Sequence, residues 1–182
     1  IRDRVSPTPG FISQMTGILT TRRYKYATVY VDHFSKFSYL YLQKTGTAEE
    51  TVEGKQAFER YAAENGVKIE HYHADNGIFR ANGWINDCLN RPTPQGTTYA
   101  GVDAHHANGM AESRSKDLQD NGLTMILHAA QRWEGNITTN LWPYALRHAN
   151  LAYNNTPLLA DLAGRTPLQL FTTTEVQDNP KH

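Results

Sequence analysis

Two carboxylates in matched settings, Asp75 and Glu112, are the side chains of this sequence best placed to do chemistry. Asp75 stands in HADNGIF (His73 to Phe79) and Glu112 closes HHANGMAE (His105 to Glu112), with 36 residues between them. A run of apolar and β-branched residues, Val67 to Ala74, leads into Asp75 and suits a buried strand, and Asn76-Gly77 behind it is a turn signal. Asn108-Gly109 breaks the chain just before a helical pattern, which puts Glu112 in the first turn of a helix. A fold that sets that helix start beside that strand end makes a two-carboxylate site. Carboxylate oxygens suit magnesium or manganese, and two such ions can stabilise the attacking and leaving oxygens of a phosphoryl transfer. Each residue alone also has a plainer use: an Asp opens Asx-turns, and a Glu is favoured at the positive end of a helix.

The elements that must position this pair follow from the pattern of the chain. Ile1 to Val5 reads as a short strand stopped by Ser6-Pro7-Thr8-Pro9-Gly10, because proline cannot donate to a ladder, and Phe11 to Arg23 reads as a connecting loop. Tyr24 to Val31 and Lys36 to Gln43 are rich in Tyr, Val and Phe and form a hairpin across Asp32-His33-Phe34-Ser35. Thr47 with Glu50 opens a helix whose apolar face is Ala48, Val52, Phe58, Tyr61 and Ala62, ended by Asn65-Gly66. After the strand to Ala74 come a short helix around Trp84 to Leu89 and a strand from Thr97 to Val102. A long helix from about Gly109 to Trp133 then stripes Ala111, Leu118, Met125, Ile126, Ala129 and Trp133, with Glu112 and Lys116 to one side. Gly122 costs that helix about 1 kcal/mol relative to Ala and allows a kink. The last clear helix, Leu141 to Tyr153, repeats Leu141, Ala145, Ala149 and Ala152, and Thr166-Pro167 caps a final turn before a frayed tail, residues 172–182. This is the rhythm of an α/β sheet with parallel members.

An Asp in an H-x-D-N-G turn followed by a Glu in N-G-x-A-E resembles the D,D-35-E pattern of retroviral and retrotransposon integrases, most nearly the copia type. The spacing here is one residue longer than the retroviral count, which one loop insertion absorbs. LWPYALRHANLAYNNTP (Leu141 to Pro157) and GRTPLQLF (Gly164 to Phe171) resemble the helices that close that family's core, so the likeness spans nearly the whole chain, residues 1–171. It implies an RNase H-like fold: a five-stranded mixed sheet, three strands antiparallel and two parallel, flanked by helices. It also implies a third carboxylate from the first strand. Asp3 is the choice, since Asp32 lies where a hairpin strand should end at the opposite edge from Asp75; a shift of one residue puts Arg2 at the family's position instead. The implied chemistry is two Mg2+ or Mn2+ ions held by Asp75, Glu112 and Asp3. One would activate a water or the 3′-hydroxyl of an element's DNA end for in-line attack on a phosphodiester, and the other would stabilise the leaving oxygen. Two rivals remain open: an inactive core kept for DNA binding or dimerisation, and a nuclease of the same fold without joining activity.

Around the pair, Asn76 is either a supporting amide or simple turn chemistry, and Lys116, one helical turn after Glu112, either meets a phosphate or stays in solvent. Arg22, Arg23 and Lys25, interleaved with Tyr24 and Tyr26, suit guidance of a DNA backbone or a solvated loop. His71, His73, His105 and His106 invite a zinc reading, but a strand and a loop are ordinary places for histidine. Lysine plus arginine and aspartate plus glutamate balance at 18 each in 182 residues, so any DNA contact must come from local patches rather than from a basic total. The single cysteine, Cys88, leaves no intrachain disulfide and no thiolate zinc site, and reads as a small core residue. With no membrane-length apolar run and no signal peptide at IRDRVSPTPG, the expectation is an intracellular protein. The family resemblance adds a cytoplasmic virus-like particle and the host nucleus as its places, DNA ends and target duplex as partners, and a homo-oligomer as its form. A first residue other than Met suggests a piece of a longer chain.

Overall fold

The computed structural model describes residues 2–5, 7–12, 23–74, 77–99 and 109–172, with side chains from residue 23 onward. Six strands form two three-stranded sheets. β1 (Arg2–Val5), β5 (Val67–Ala74) and β6 (Gly96–Tyr99) are parallel, in the order β1-β5-β6. β2 (Pro7–Ile12), β3 (Tyr26–Asp32) and β4 (Ser38–Gln43) are antiparallel, in the order β2-β3-β4. The expected single five-stranded sheet is therefore divided, and the division falls between β1, which pairs with β5, and β2, which pairs with β3. The expected stop at Ser6 to Gly10 is likewise corrected, since Pro7 to Ile12 is a strand. Proline's missing donor explains both outcomes. Pro7 and Pro9 lie two residues apart, so both withhold an N–H from the same side of the strand, and that stretch can ladder with one neighbour but not two.

Helices cover both faces. β3 alternates in the manner of a strand buried on two sides: Tyr30 enters one core, Val29 and Val31 the other. The first core joins Tyr30 to Phe58 of α1 (Ala48–Glu64), Tyr72 of β5, Trp84 of α2 (Asn82–Leu89) and Phe171 of α5 (Pro167–Thr172). Its rings stack closely, with centroids 4.3 Å apart for Phe37 and Phe171 and 5.2 Å for Tyr30 and Phe58. Each such large side chain removed from water contributes about 1.5–3 kcal/mol. The second core sets Ala111, Leu118 and Ile126 of α3 (Gly109–Arg132) and Trp142, Leu146 and Ala149 of α4 (Trp142–Asn154) against the β2-β3-β4 sheet.

Two expected helix faces are corrected. Trp133 ends the α3 stripe 54% exposed, and α4 buries Trp142, Leu146 and Ala149 rather than the row through Leu141 and Ala152. Gly122 does not break α3, which runs unbroken to Arg132. A Cβ there would stand 3.4 Å from Leu146 Cδ2, so the glycine sits at the close contact with α4. Asn154, buried at the end of α4, fastens that helix to the start of β4: it accepts from Ser38 N (3.0 Å) and donates to Ser38 O (2.8 Å).

Candidate metal and nucleic-acid site

The strand end that precedes Asp75 and the helix start that bears Glu112 come to one end of the fold, and described residues trace the approach. β5 ends at Ala74, directly before Asp75. Two residues before Asp75, the ring of His73 lies 6.4 Å from that of His33, in the turn between β3 and β4. From the same turn Lys36 Nζ donates to His33 O (2.7 Å) and reaches 3.9 Å from Met110 Sδ, in the first turn of α3. Glu112 follows two residues on, exposed at the helix start, with no hydrogen bond or ion pair among the described residues. Asp75 and Asn76 themselves lie outside the described residues, as do Arg22, His105 and His106. Lys116 is exposed one turn after Glu112, on the same flank of α3.

The turn carrying His33 shows why Asp32 is not at the opposite edge, as the hairpin argument expects. β2 begins two residues after β1 ends, so Pro7, the partner of Asp32, falls beyond Val5, the partner of His71. The end of β3 therefore comes level with the end of β5. Asp32 is nonetheless committed to the turn: it is fully buried, and Oδ2 accepts from Ser35 N (2.8 Å) and Ser35 Oγ (2.5 Å). Asp3 pairs with Lys68, six residues before Ala74, so its backbone lies roughly 20 Å along the strand from the end of β5. Arg23 and Lys25 are exposed ahead of β3, at the other end of that strand from His33. The structure thus gathers His33, Lys36, His73 and Glu112 at one end and sets Asp3, Arg23 and Lys25 away from it.

The electrostatics at this end are those of partly buried, crowded imidazoles. Burial holds the His33 imidazole below its ordinary pKa, with Lys36 and His73 adding to the effect. Burial and His73 do the same to His71. Thr98 Oγ1 lies 3.0 Å from His71 Nε2 and 2.9 Å from His73 Nδ1. One hydroxyl has one proton to give, so one of these rings must donate to it. Gly96 makes room for His71: a Cβ there would stand 2.3 Å from its Nδ1. Among the described residues no three His, Cys, Asp or Glu side chains are grouped to hold a metal. The oxygen chemistry of Glu112, exposed and with no partner among those residues, fits a hard divalent cation as one member of a ligand set that Asp75 would join.

Two further residues belong here that sequence reasoning passes over, Lys36 and Arg114. Arg114 lies four residues after Met110, over the Tyr153 ring (3.3 Å to the centroid), and its Nε is buried with no hydrogen-bond partner. Nothing local in the sequence marks either residue, because both meet the site only through contacts between distant elements.

The divided sheet between two helical layers is the RNase H-like α/β arrangement, and comparison with solved structures agrees. A chain of a simian T-cell lymphotropic virus intasome superposes with a TM-score of 0.69 at 17% identity, over 98% of this chain and 58% of that one. The HTLV-2 integrase catalytic core domain, solved in complex with magnesium, gives 0.61 at 18% identity over 92% of this chain and 95% of that one. The catalytic core domain of BIV integrase gives 0.58 at 20% identity over 92% and 93%. The fold is that of a retroviral integrase catalytic core. In sequence, the chain is 28% identical over 155 residues, 78% of its length, to the retrovirus-related Pol polyprotein from transposon RE1 of Arabidopsis thaliana. It is also 28% identical over 146 residues to that from transposon RE2 of the same plant. No family model matches. The chain spans 9% of the length of each of these polyproteins. The relatives in sequence are transposon Pol polyproteins and the neighbours in structure are retroviral integrase catalytic cores, consistent with the copia-type resemblance read from the two acidic motifs.

Proposed function

We propose that this chain is the catalytic core of a retrotransposon integrase, which cleaves element DNA ends and joins them to target DNA with divalent metal. The observation that carries the reading is the convergence of the strand end before Asp75 with the helix start bearing Glu112, traced through His73, His33, Lys36 and Met110. Asp75 and Glu112 would hold the metal, with Asn76 supporting Asp75 and Asp3 as the first-strand carboxylate. Two Mg2+ or Mn2+ ions, when bound, supply Lewis-acid stabilisation of the attacking and leaving oxygens. The chain's own part is positional. Glu112 offers its carboxylate from a 24-residue helix packed on the sheet, a rigid mount. Lys116 on the same flank meets a DNA phosphate, and Arg22, Arg23 and Lys25 engage the duplex farther from the reacting bond.

Self-association fits an apolar pocket of about 520 Å³ between the end of α3 and the start of α4, lined by Met125, Trp133, Ile137 and Tyr144 among others. Trp133 and Tyr144 are 54% and 59% exposed, as an interface awaiting a second copy would leave them. Work on chromosomal DNA implies the host nucleus, and assembly beforehand implies a cytoplasmic particle.

A second reading, an inactive core that binds DNA or dimerises, is favoured by the register that sets Asp3 opposite Lys68. One assay separates the readings. Protein with Mg2+ or Mn2+, an oligonucleotide bearing the element's end and a target plasmid should give joined products that Glu112→Gln and Asp75→Asn each abolish. Bound but unreacted DNA selects the inactive core, and nicks without joining select a nuclease. Asp3→Asn that left joining at the wild-type rate would remove Asp3 from the ligand set.

A further inference from the structure

Beside the start of α3, on the flank away from Glu112, lies a pocket of about 610 Å³. Phe34, Lys36, Arg114, Tyr153, Leu158 and Arg165 are among its lining residues. Arg165 is engaged with Asp161, Nη2 to Oδ1 at 2.8 Å, and holds the loop that forms one wall. Arg114 is different. Its side chain is 17% exposed, and among the described residues its one ion pair is a 3.4 Å contact to Asp117 and it donates no hydrogen bond. Its Nε is buried with no acceptor, and a buried guanidinium donor left unpaired is costly unless something supplies the acceptor. The Tyr153 ring fixes one face of the fork, and the remaining edge faces the pocket with Lys36.

We propose that Arg114 and Lys36 form a subsite for one phosphate of a nucleic-acid strand, with the apolar wall of Phe34 and Leu158 receiving the adjoining base. The proposal rests on the DNA-processing reading above and adds a place to it. At 3.6 residues per turn, Glu112 and Arg114 project roughly 200° apart around α3. A strand that crosses the helix start thus meets the metal carboxylate on one flank and this cation on the other. A planar fork with free donors matches a phosphate's oxygens, and the aromatic and aliphatic wall matches a base face, whereas a carboxylate side chain would use only the cation.

The test is equilibrium binding of a labelled DNA duplex with a single-stranded 3′ overhang, in EDTA, across a salt series. Arg114→Gln should weaken binding on the order of tenfold and make the log–log salt dependence shallower by about one. Lys36→Asn, a residue type that accepts the left-handed φ of +61° at this position, should act in the same direction with a smaller loss. Thermal melts of both variants separate this from lost folding, and if Arg114→Gln does not fold, Lys36→Asn carries the test. A wild type that joins DNA while its salt dependence is indifferent to both substitutions overturns the subsite and leaves the integrase reading standing. A wild type that binds no DNA ends both. Tighter binding of a labelled polyglutamate peptide than of DNA, lost in Arg114→Gln, would reassign the pocket to an acidic protein partner.

Discussion

Lys55 and Arg114 are both buried cations, and their surroundings differ in the way that separates structure from function. Lys55, fully buried, donates to Asp87 Oδ2 (2.5 Å) and Gln95 Oε1 (2.7 Å), pairs with Glu59 Oε1 (3.0 Å), and lies 5.2 Å from the Tyr72 ring centroid and 5.6 Å from that of Trp84. Arg91 closes the circuit from the other side, to Glu59 Oε2 (2.6 Å) and Asp87 Oδ2 (2.8 Å), and Gln56 adds a bond to Asp87 Oδ1 (2.7 Å). Every charged group there finds its partner within the chain, so the network fastens α1, α2 and β5 together and has no capacity left for a ligand. At the start of α3 the counterparts are less engaged: Arg114 has a 3.4 Å contact to Asp117 but donates no hydrogen bond to a described acceptor, and Glu112 accepts from no described donor. Complementary groups that meet one another hold a fold; groups kept apart await something from outside.

The sharpest way to break this contrast is at Lys55. Lys55→Met keeps most of the apolar stem beside Tyr72 and Trp84 but strips Asp87 and Glu59 of their shared cation. Breaking a buried pair by removing one partner typically costs about 3–5 kcal/mol. Urea unfolding should show a loss of that size, with DNA affinity per folded molecule unchanged. A loss below 1 kcal/mol would mean that Arg91 alone satisfies both carboxylates.

Acid should find the same network. Burial alone would raise the Asp87 carboxyl, but hydrogen bonds from Lys55, Gln56 and Arg91 and the Lys55 charge outweigh it and hold the group below its ordinary value. A carboxyl depressed in the folded state adds stability that is fully present above its unfolded pKa, about 3.9, and is lost as the pH falls through the lower folded value. Stability should therefore drop as pH falls below about 4. Asp87→Asn, less stable at neutral pH, should show a flatter profile there. Parallel profiles for the two proteins would locate the acid sensitivity elsewhere.

How far this contrast could be read beforehand depends on the range of the interactions involved. β5 ends at Ala74, α1 is capped by Thr47 accepting from Glu50 N, and α3 starts at Gly109, all as the local signals require, because strand alternation, caps and turn residues act within a few positions. The division between β1 and β2 was not legible: Pro7 and Pro9 look like a stop until a neighbour that needs donors from only one side is known. The hairpin argument misplaces Asp32 for the same reason, since its level relative to β5 depends on where β2 lies. Lys55 fell on a helix among ordinary polar residues, and its burial arises from α2 and Gln95, more than thirty residues away. Arg114 carried no signal at all, because the Tyr153 ring that holds it belongs to another helix.

The smallest expected effect completes the comparison, and it is informative because it is small. Glu112 is exposed, partners nothing among the described residues, and sits in the first turn of α3, where the helix dipole favours a negative charge by roughly 0.3–1 kcal/mol. Glu112→Gln removes that charge and nothing else the described residues use, so unfolding stability should fall by no more than about 1 kcal/mol. A wild-type melt alongside lost strand joining would assign the carboxylate to chemistry alone. A loss of 2 kcal/mol or more would instead mean that Glu112 is tied into the fold like Asp87, and the distinction between the two ends of the molecule would fail at its most exposed member.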